Sequence, residues 1–133
     1  LRFSYESGIF FIELPSRRRL AYVRPKVEKD DNGKNIITYE GIDNSHKWNR
    51  LKTYGAKLVE NITQGVARDL LLYAMQNMQD MEIVGHVHDE VIIECTPDVS
   101  VEQVCELMGQ TPEWAEGLLL RADGYECAFY MKQ

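Results

Sequence analysis

Residues 83–94 constrain the fold of this chain more than any other stretch. Ile and Val residues flank a polar centre of His88, Asp89 and Glu90. β-Branched runs on both sides of a residue that tolerates unusual backbone angles, here Asp89, predict an antiparallel hairpin. Two adjacent carboxylates repel each other, and a bound cation stabilises such a pair. A solvated turn that happens to be acidic is the alternative that this stretch leaves open.

The composition is that of a globular chain, with 44% hydrophobic and 27% charged residues over a length of 133, enough for one domain or part of one. No apolar run approaches the roughly 20 residues that span a bilayer, so we expect a cytoplasmic protein with no membrane partner. Because the first residue is Leu1 rather than Met, we expect an excised piece of a longer chain. Three cysteines without a CxxC pair predict neither disulfides nor a thiolate zinc site, and each is expected in the core.

The net charge of −6 hides an asymmetry between the two halves of the chain. Residues 1–57 carry 12 Lys and Arg against 7 Asp and Glu, whereas residues 58–133 carry 3 against 14. A basic first half can follow phosphates locally, and an acidic second half can hold divalent cations.

The ends of the chain are predicted to be mainly β. Residues 1–45 are expected to form hairpins, with a solvated basic turn at Arg17–Arg19 and a second turn at 31–33. Residues 46–52 read as a basic connector around Trp48. The predicted strands of this part are 8–14, 20–23 and 36–39.

Residues 100–109 are predicted to form a short helix, with Ser100 and Gln103 as a capping box. Residues 117–131 are predicted to form terminal strands around the turn pair Asp123-Gly124. The predicted fold class is therefore α+β, with antiparallel hairpins and two helices packed on the sheet.

A long helix is predicted over residues 51–79, which contain no proline. Lys57, Asn61, Gln64 and Arg68 fall in one narrow stripe of this helix, about 16 Å long. Amide side chains suit base edges in a minor groove and cations suit phosphates, so the stripe is a candidate DNA-binding face. The predicted core positions on the other side are Leu58, Ile62, Val66, Leu70, Tyr73 and Ala74.

The alternative for this stripe is that it is simply the solvent-exposed face of the helix. Glu60, Asp69 and Gln76 are also expected to be exposed on the helix. The pattern alone does not choose between the two interpretations.

Two stretches together resemble a known family. Residues 61–69, Asn-Ile-Thr-Gln-Gly-Val-Ala-Arg-Asp, followed by residues 86–94, resemble the C-terminal half of the palm of family A DNA polymerases. The core Val-His-Asp-Glu-Val is similar to motif C of that family. Residues 54–61 and 118–127 are similar to phage and prophage versions of these enzymes, and the resemblance covers residues 14–133.

This resemblance implies a role for each residue of the acidic turn. Asp89 would be one of two metal-bridging carboxylates in a two-Mg²⁺ nucleotidyl-transfer site, and Glu90 would tune the site or bind metal more weakly. His88 would contact the backbone of the primer terminus. The reaction would use primer–template DNA and a dNTP in the cytoplasm of a bacterium or of a phage-infected host.

The resemblance also assigns the helical stripe. Gln64 and Asn61 would reach the minor-groove edge of new base pairs, Lys57 would contact a phosphate or base edge, and Arg68 would contact the backbone. The Asn–Gln spacing is one residue shorter than in bacterial members, and His86 stands where glutamine is more usual. Two alternatives stay open, a small metal-dependent hydrolase using the two histidines with Asp89 and Glu90, and a non-catalytic interaction module.

Part of the family pattern is missing from the chain. The second catalytic aspartate and the fingers helix, with the residues that hold the nucleotide, have no counterpart here. The chain alone is therefore predicted to be inactive until joined to the remaining palm, fingers and thumb. Surfaces that normally meet those parts would favour self-association.

Overall fold

The computed structural model describes residues 1–131 and confirms the α+β class. The chain forms two compact units, which meet in sequence between Val66 and Ala67. The strands are β1 Arg2–Glu6, β2 Ile9–Glu13, β3 Arg19–Lys29, β4 Asn35–Ile42, β5 Trp48–Thr53, β6 Glu82–Val87 and β7 Glu90–Glu94. The helices are α1 Gly55–Asn77, α2 Val101–Met108 and the short 3₁₀ turn Glu113–Ala115.

The first unit is built on a five-stranded antiparallel sheet whose strands follow chain order, β1 to β5. The predicted strand at residues 8–14 is confirmed as β2, and β1, which was not predicted, pairs with it because the chain turns back at Ser7 and Gly8. Both residues have positive φ, 50° and 81°. Glycine adopts this conformation without a steric penalty, and the resulting tight turn separates β1 from β2.

Strand β3 also differs from the prediction, which ended it at Val23 before Pro25. The strand continues to Lys29 across an irregularity between Val23 and Lys26. Arg24 has a φ of 45° there. Since proline cannot donate to a β ladder, a bulge lets the strand pass Pro25 while pairing with β4 resumes on the far side.

Residues 48–53 form β5 rather than a basic connector, and α1 begins at Gly55 instead of residue 51. Leu51 and Thr53 point toward the protein while Arg50 and Lys52 point away, which is the two-residue period of a half-exposed strand. The basic residues of the outer face obscured this period. The helix ends at Asn77, two residues before the predicted end.

The core of the first unit lies between the sheet and the first half of α1. Ile12, Leu14 and Tyr22 are at most 5% exposed. Gly65 lets the helix approach closely, since a Cβ atom there would lie 2.8 Å from Leu14 Cδ1. Arg18 Nη2 donates to the Gly65 carbonyl at 2.8 Å, so the predicted solvated triplet contains a residue that ties the sheet to the helix.

The loop between β4 and β5 is closed by Asp43. Its carboxylate accepts hydrogen bonds from the Ser45 hydroxyl at 2.6 Å and the Lys47 backbone N–H at 3.1 Å. These bonds lower the pKa of Asp43 from 3.8 to about 2, the Ser45 hydroxyl contributing most. A carboxylate with a lowered pKa stabilises the fold above its unfolded value and loses this contribution as the pH falls through the folded value.

We therefore expect Asp43→Asn to lower the free energy of unfolding at pH 7, and the difference from wild type to shrink between pH 4 and pH 2. Urea unfolding at a series of pH values measures this. A difference that stays constant down to pH 2 would contradict the assigned hydrogen bonds.

The second unit contains the second half of α1, the β6–β7 hairpin and α2. The hairpin confirms the prediction over residues 83–94, with Val87 paired to Glu90 across a two-residue turn. Leu71 and Ala74 of α1 and Met78, directly after the helix, are buried apolar residues of this unit. Helix α2 has the capping box predicted for Ser100 and Gln103, with both hydrogen bonds formed.

The predicted terminal strands are wrong, because within residues 1–131 the segment 117–131 contains no strand. Gly124 does not form a hairpin turn but lies against α2. A Cβ atom at this position would be 3.0 Å from Val101 Cγ1 and 3.3 Å from Cys105 Sγ. Gly124 therefore allows the segment to pack closely against α2, and residues 117–131 do not form a β hairpin.

The surface carries several apolar side chains. On the edge strand β1, Phe3 and Tyr5 are 58% and 65% exposed. An unpaired edge with such residues is typical of interaction surfaces, in keeping with the predicted self-association. Cys95 and Cys127 are also exposed, which corrects the prediction that each cysteine lies in the core. Among the described residues, neither helix is both long and apolar enough to cross a membrane.

Candidate functional site

The acidic turn lies at the tip of the β6–β7 hairpin. His88 and Asp89 form the turn, and His88 has a φ of 53°, in the left-handed region. Asp89 is exposed, while Glu90 begins β7 and is half-buried. The hairpin therefore presents the Asp89 carboxylate to solvent and holds Glu90 next to it on a paired strand.

His86 contacts Arg68 within the second unit. Arg68 Nη1 lies 3.2 Å from His86 Nδ1. Because a guanidinium can only donate, Nδ1 accepts and the imidazole carries its proton on Nε2. This contact places Arg68 beside β6, the strand that leads to the acidic turn. The Nδ1 lone pair of His86 accepts the hydrogen bond from Arg68 and is therefore not free to bind a metal ion.

Tyr125 is a neighbour of the acidic turn that the sequence did not reveal. Desolvation raises the pKa of its phenol, and the charges of Cys127 and Glu90 raise it further. The Tyr125 hydroxyl also donates to the carbonyl of Met131. Tyr125 is therefore close enough to Glu90 for their charges to interact, although the two residues are 35 positions apart in sequence.

The donor set of the turn fits half of a magnesium site. Carboxylate oxygens are the ligands that Mg²⁺ prefers, and Asp89 and Glu90 supply two carboxylates. Among residues 1–131, no three His, Cys, Asp or Glu side chains come together as a potential metal site. Two side chains are too few for two ions in working geometry, so the remaining ligands would have to come from outside this part of the chain.

The first half of the helical stripe belongs to the first unit. Lys57 Nζ lies 3.0 Å from Glu60, and this bond, with the charge of Glu60, raises the pKa of the ammonium group. Asn61 Nδ2 donates to the Tyr22 hydroxyl at 3.0 Å, so its amide is partly used in binding the helix to the sheet. Gln64 is exposed on the helix surface. The three roles predicted for these residues stay predictions.

A comparison with known proteins gives one clear relative. The chain is 47% identical over 136 aligned residues to a protein named DNA polymerase from Bacillus phage SP02. The alignment covers 99% of this chain and 21% of that protein. The chain is thus similar to one part of a phage DNA polymerase. No protein-family signature and no solved structure matches the chain.

The predicted similarity to phage polymerases is supported by this relative, which is a phage protein. The chain spans about a fifth of the relative's length.

Proposed function

We propose that this chain is the C-terminal palm segment of a family A, template-directed DNA polymerase. It would supply Asp89 and Glu90 to a two-Mg²⁺ site that joins dNTPs to a primer. The observation that carries the proposal is the exposed Asp89 carboxylate at the tip of a two-residue hairpin turn, in a chain similar to part of a phage DNA polymerase.

In the proposed reaction, the main role of the turn would be to hold negatively charged carboxylates in a fixed position. Bound Mg²⁺ ions would lower the barrier by activating the primer hydroxyl and stabilising the leaving pyrophosphate. Asp89 would hold such an ion, and Glu90 would contribute more weakly because it is half-buried on the strand. His88, exposed and adjacent to Asp89, would donate to a phosphate of the primer end.

Helix α1 would contact the DNA through its exposed polar residues. Gln64 is exposed and can reach the acceptors that all correct base pairs present in the minor groove. Asn61 retains its amide oxygen for such a contact while its Nδ2 donates to Tyr22. Lys57 would first have to leave Glu60, and Arg68 would have to share its guanidinium with His86.

The geometry does not favour the hydrolase alternative. A zinc or manganese site would need at least three ligands, and residues 1–131 bring no such group together. The Nδ1 atom of His86 faces the guanidinium of Arg68 at 3.2 Å. A cation bound on that side would meet an existing positive charge, which raises the cost of metal binding there.

The isolated 133-residue chain is expected to show no primer extension, because it offers only two carboxylates for two ions. A radiolabelled primer–template assay with Mg²⁺ and all four dNTPs measures this. Any extension that survives removal of contaminating polymerase and is lost in Asp89→Asn would contradict the half-site assignment.

A chimaera tests the proposed function itself. This chain replaces the corresponding fifth of the SP02 polymerase, with which it shares 47% identity. The expected result is primer extension by the chimaera, abolished by Asp89→Asn and retained in Asp80→Asn. A folded chimaera that extends primers equally well with and without Asp89 would contradict the proposal.

A further inference from the structure

The sheet of the first unit has one face packed on α1 and one face turned away from it. Tyr22 faces the helix, as its bond to Asn61 shows, and Tyr39 packs against Tyr22 with ring centroids 5.1 Å apart. Because successive residues of a strand point to opposite faces, Glu40 lies on the other side of the sheet. We call this side, over β3 to β5, the outer face.

Glu40 organises a cluster of side chains on the outer face. Arg24 Nη1 and Arg50 Nη2 lie 3.1 and 3.2 Å from its carboxylate oxygens. The indole Nε1 of Trp48 donates to the same carboxylate at 3.3 Å. Arg50 is held further by Thr38 Oγ1 at 3.0 Å, so both guanidiniums and the indole have defined positions.

The outer face is strongly basic. Lys26 and Lys52 are cross-strand neighbours of Thr38 on either side, which places both on this face, and both are exposed. Together with the two arginines they make four cations around a single central carboxylate, Glu40. Strand β3 carries one acidic residue, Glu28, which lies two pairs beyond Lys26 and opposite Ile36. This concentration of positive charge is found in a chain whose net charge is −6.

Trp48 adds an aromatic surface to the cations. Its side chain is 60% exposed although its Nε1–H is bound to Glu40. Trp48, Arg50 and Lys52 alternate along the edge strand β5 on the same face. A fixed, open indole next to a row of cations matches the combination that binds single-stranded nucleic acid, in which bases stack on rings and phosphates meet cations.

We propose that the outer face of β3 to β5 binds single-stranded nucleic acid, with a base stacked on Trp48 and the phosphates along Arg24, Lys26, Arg50 and Lys52. The inference extends the proposed function by naming a second nucleic-acid contact on a different surface from Asp89. Glu40 acts as a positioning residue, because it orients the arginines and the indole without needing to touch the strand.

The test is direct binding of a fluorescent oligothymidylate to the 133-residue chain, followed by anisotropy at several salt concentrations. Four phosphate contacts predict that the logarithm of the affinity falls with the logarithm of salt concentration with a slope of about −3. Replacing Lys26 and Lys52 by Glu is expected to weaken binding at least tenfold and to bring the slope to about half. Trp48→Ala is expected to weaken binding about tenfold with the slope unchanged.

The matched control is a double variant with the same change in net charge elsewhere on the sheet, Lys29→Glu with Lys34→Glu. Lys29 alternates with the outer-face residues of β3, and Lys34 lies beyond the 31–33 turn. Binding within about twofold of wild type is expected for this variant. Equal losses in both double variants would overturn the proposal, since net charge alone would then explain binding.

Stacking has its own readout. In a Trp114→Phe background, Trp48 is the remaining tryptophan, and its fluorescence is expected to be quenched by oligothymidylate but not by polyglutamate. Binding of polyglutamate as tight as that of oligothymidylate, or a preference for duplex over single strand, would overturn the proposal. Because this readout is the affinity for oligothymidylate rather than nucleotide incorporation, its failure would leave the proposed function untouched, and a failed incorporation assay would leave this proposal untouched.

Discussion

Under the proposed function, replacing Asp89 by Asn in the chimaera of this chain with the SP02 polymerase is expected to lower the rate of nucleotide incorporation by about 10³-fold or more. An amide is a much poorer Mg²⁺ ligand than a carboxylate, and losing several kcal/mol of charge stabilisation corresponds to a loss of that size. Asp89 is exposed at a turn, so the fold is not expected to depend on it. Single-turnover incorporation measured at saturating primer–template and dNTP separates this chemical effect from binding.

Asp80→Asn is the matched control, since Asp80 is an exposed residue just after α1 and the variant makes the same change in charge. Its incorporation rate is expected to stay within about twofold of wild type. Glu90→Gln should fall between the two variants, because Glu90 is half-buried and is assigned the weaker metal contact. An Asp89→Asn enzyme with near-normal incorporation would remove Asp89 from the proposed site.

Replacing Gly65 by Val is expected to destabilise the first unit by about 3 kcal/mol. A Cβ at this position would already lie 2.8 Å from Leu14 Cδ1, so Leu14, which is only 1% exposed, would have to shift within the core. The substitution would also push against Arg18 Nη2, 3.4 Å away, which donates to the Gly65 carbonyl. Urea unfolding followed by Trp48 fluorescence, in a Trp114→Phe background, reports on this unit.

Gly55→Val is the control, since a Cβ at the first residue of α1 would meet nothing within 4 Å. Its free energy of unfolding should change by less than about 1 kcal/mol. The clash itself is measured by a double-mutant cycle with Leu14→Ala, in which the two losses are expected to be strongly non-additive because the smaller side chain makes room. Additive losses would show that Gly65→Val acts through helix propensity instead.

The fold class and the elements with local signals could be predicted from the sequence. The β-branched runs on both sides of Asp89 predicted β6 and β7, and Ser100 with Gln103 predicted the start of α2. The turn at 31–33 was likewise marked by glycine, and Gly33 has a φ of 76°. Each of these depends on residues that are neighbours in the chain.

The errors arose where long-range packing decides the local structure. Gly124 looked like a turn residue but is needed for close contact with Val101 on α2. Asp69 was expected on the wet side of α1 and is 7% exposed, because that side of the helix is covered in the folded chain. Periodicity identifies a face of a helix, but it does not show which polar residue the neighbouring elements cover.

In the candidate site, too, the features with a local sequence signal could be predicted and the contacts between distant residues could not. The exposed position of Asp89 follows from the hairpin and could be predicted from the sequence. The pairing of Asn61 with Tyr22 and the proximity of Tyr125 to Glu90 bring together residues more than 30 positions apart, and no local pattern indicates either contact. The same holds for the outer face, where Glu40 on β4 binds Arg24 from β3 and both Arg50 and Trp48 from β5.

The most direct test of the central claim is a crystal structure of the full-length polymerase with primer–template, an incoming dNTP and Mg²⁺. A carboxylate oxygen of Asp89 is expected about 2.1 Å from a magnesium ion beside the primer 3′ end. Magnesium ions held at the primer end entirely by other residues, with Asp89 directed into solvent, would contradict it.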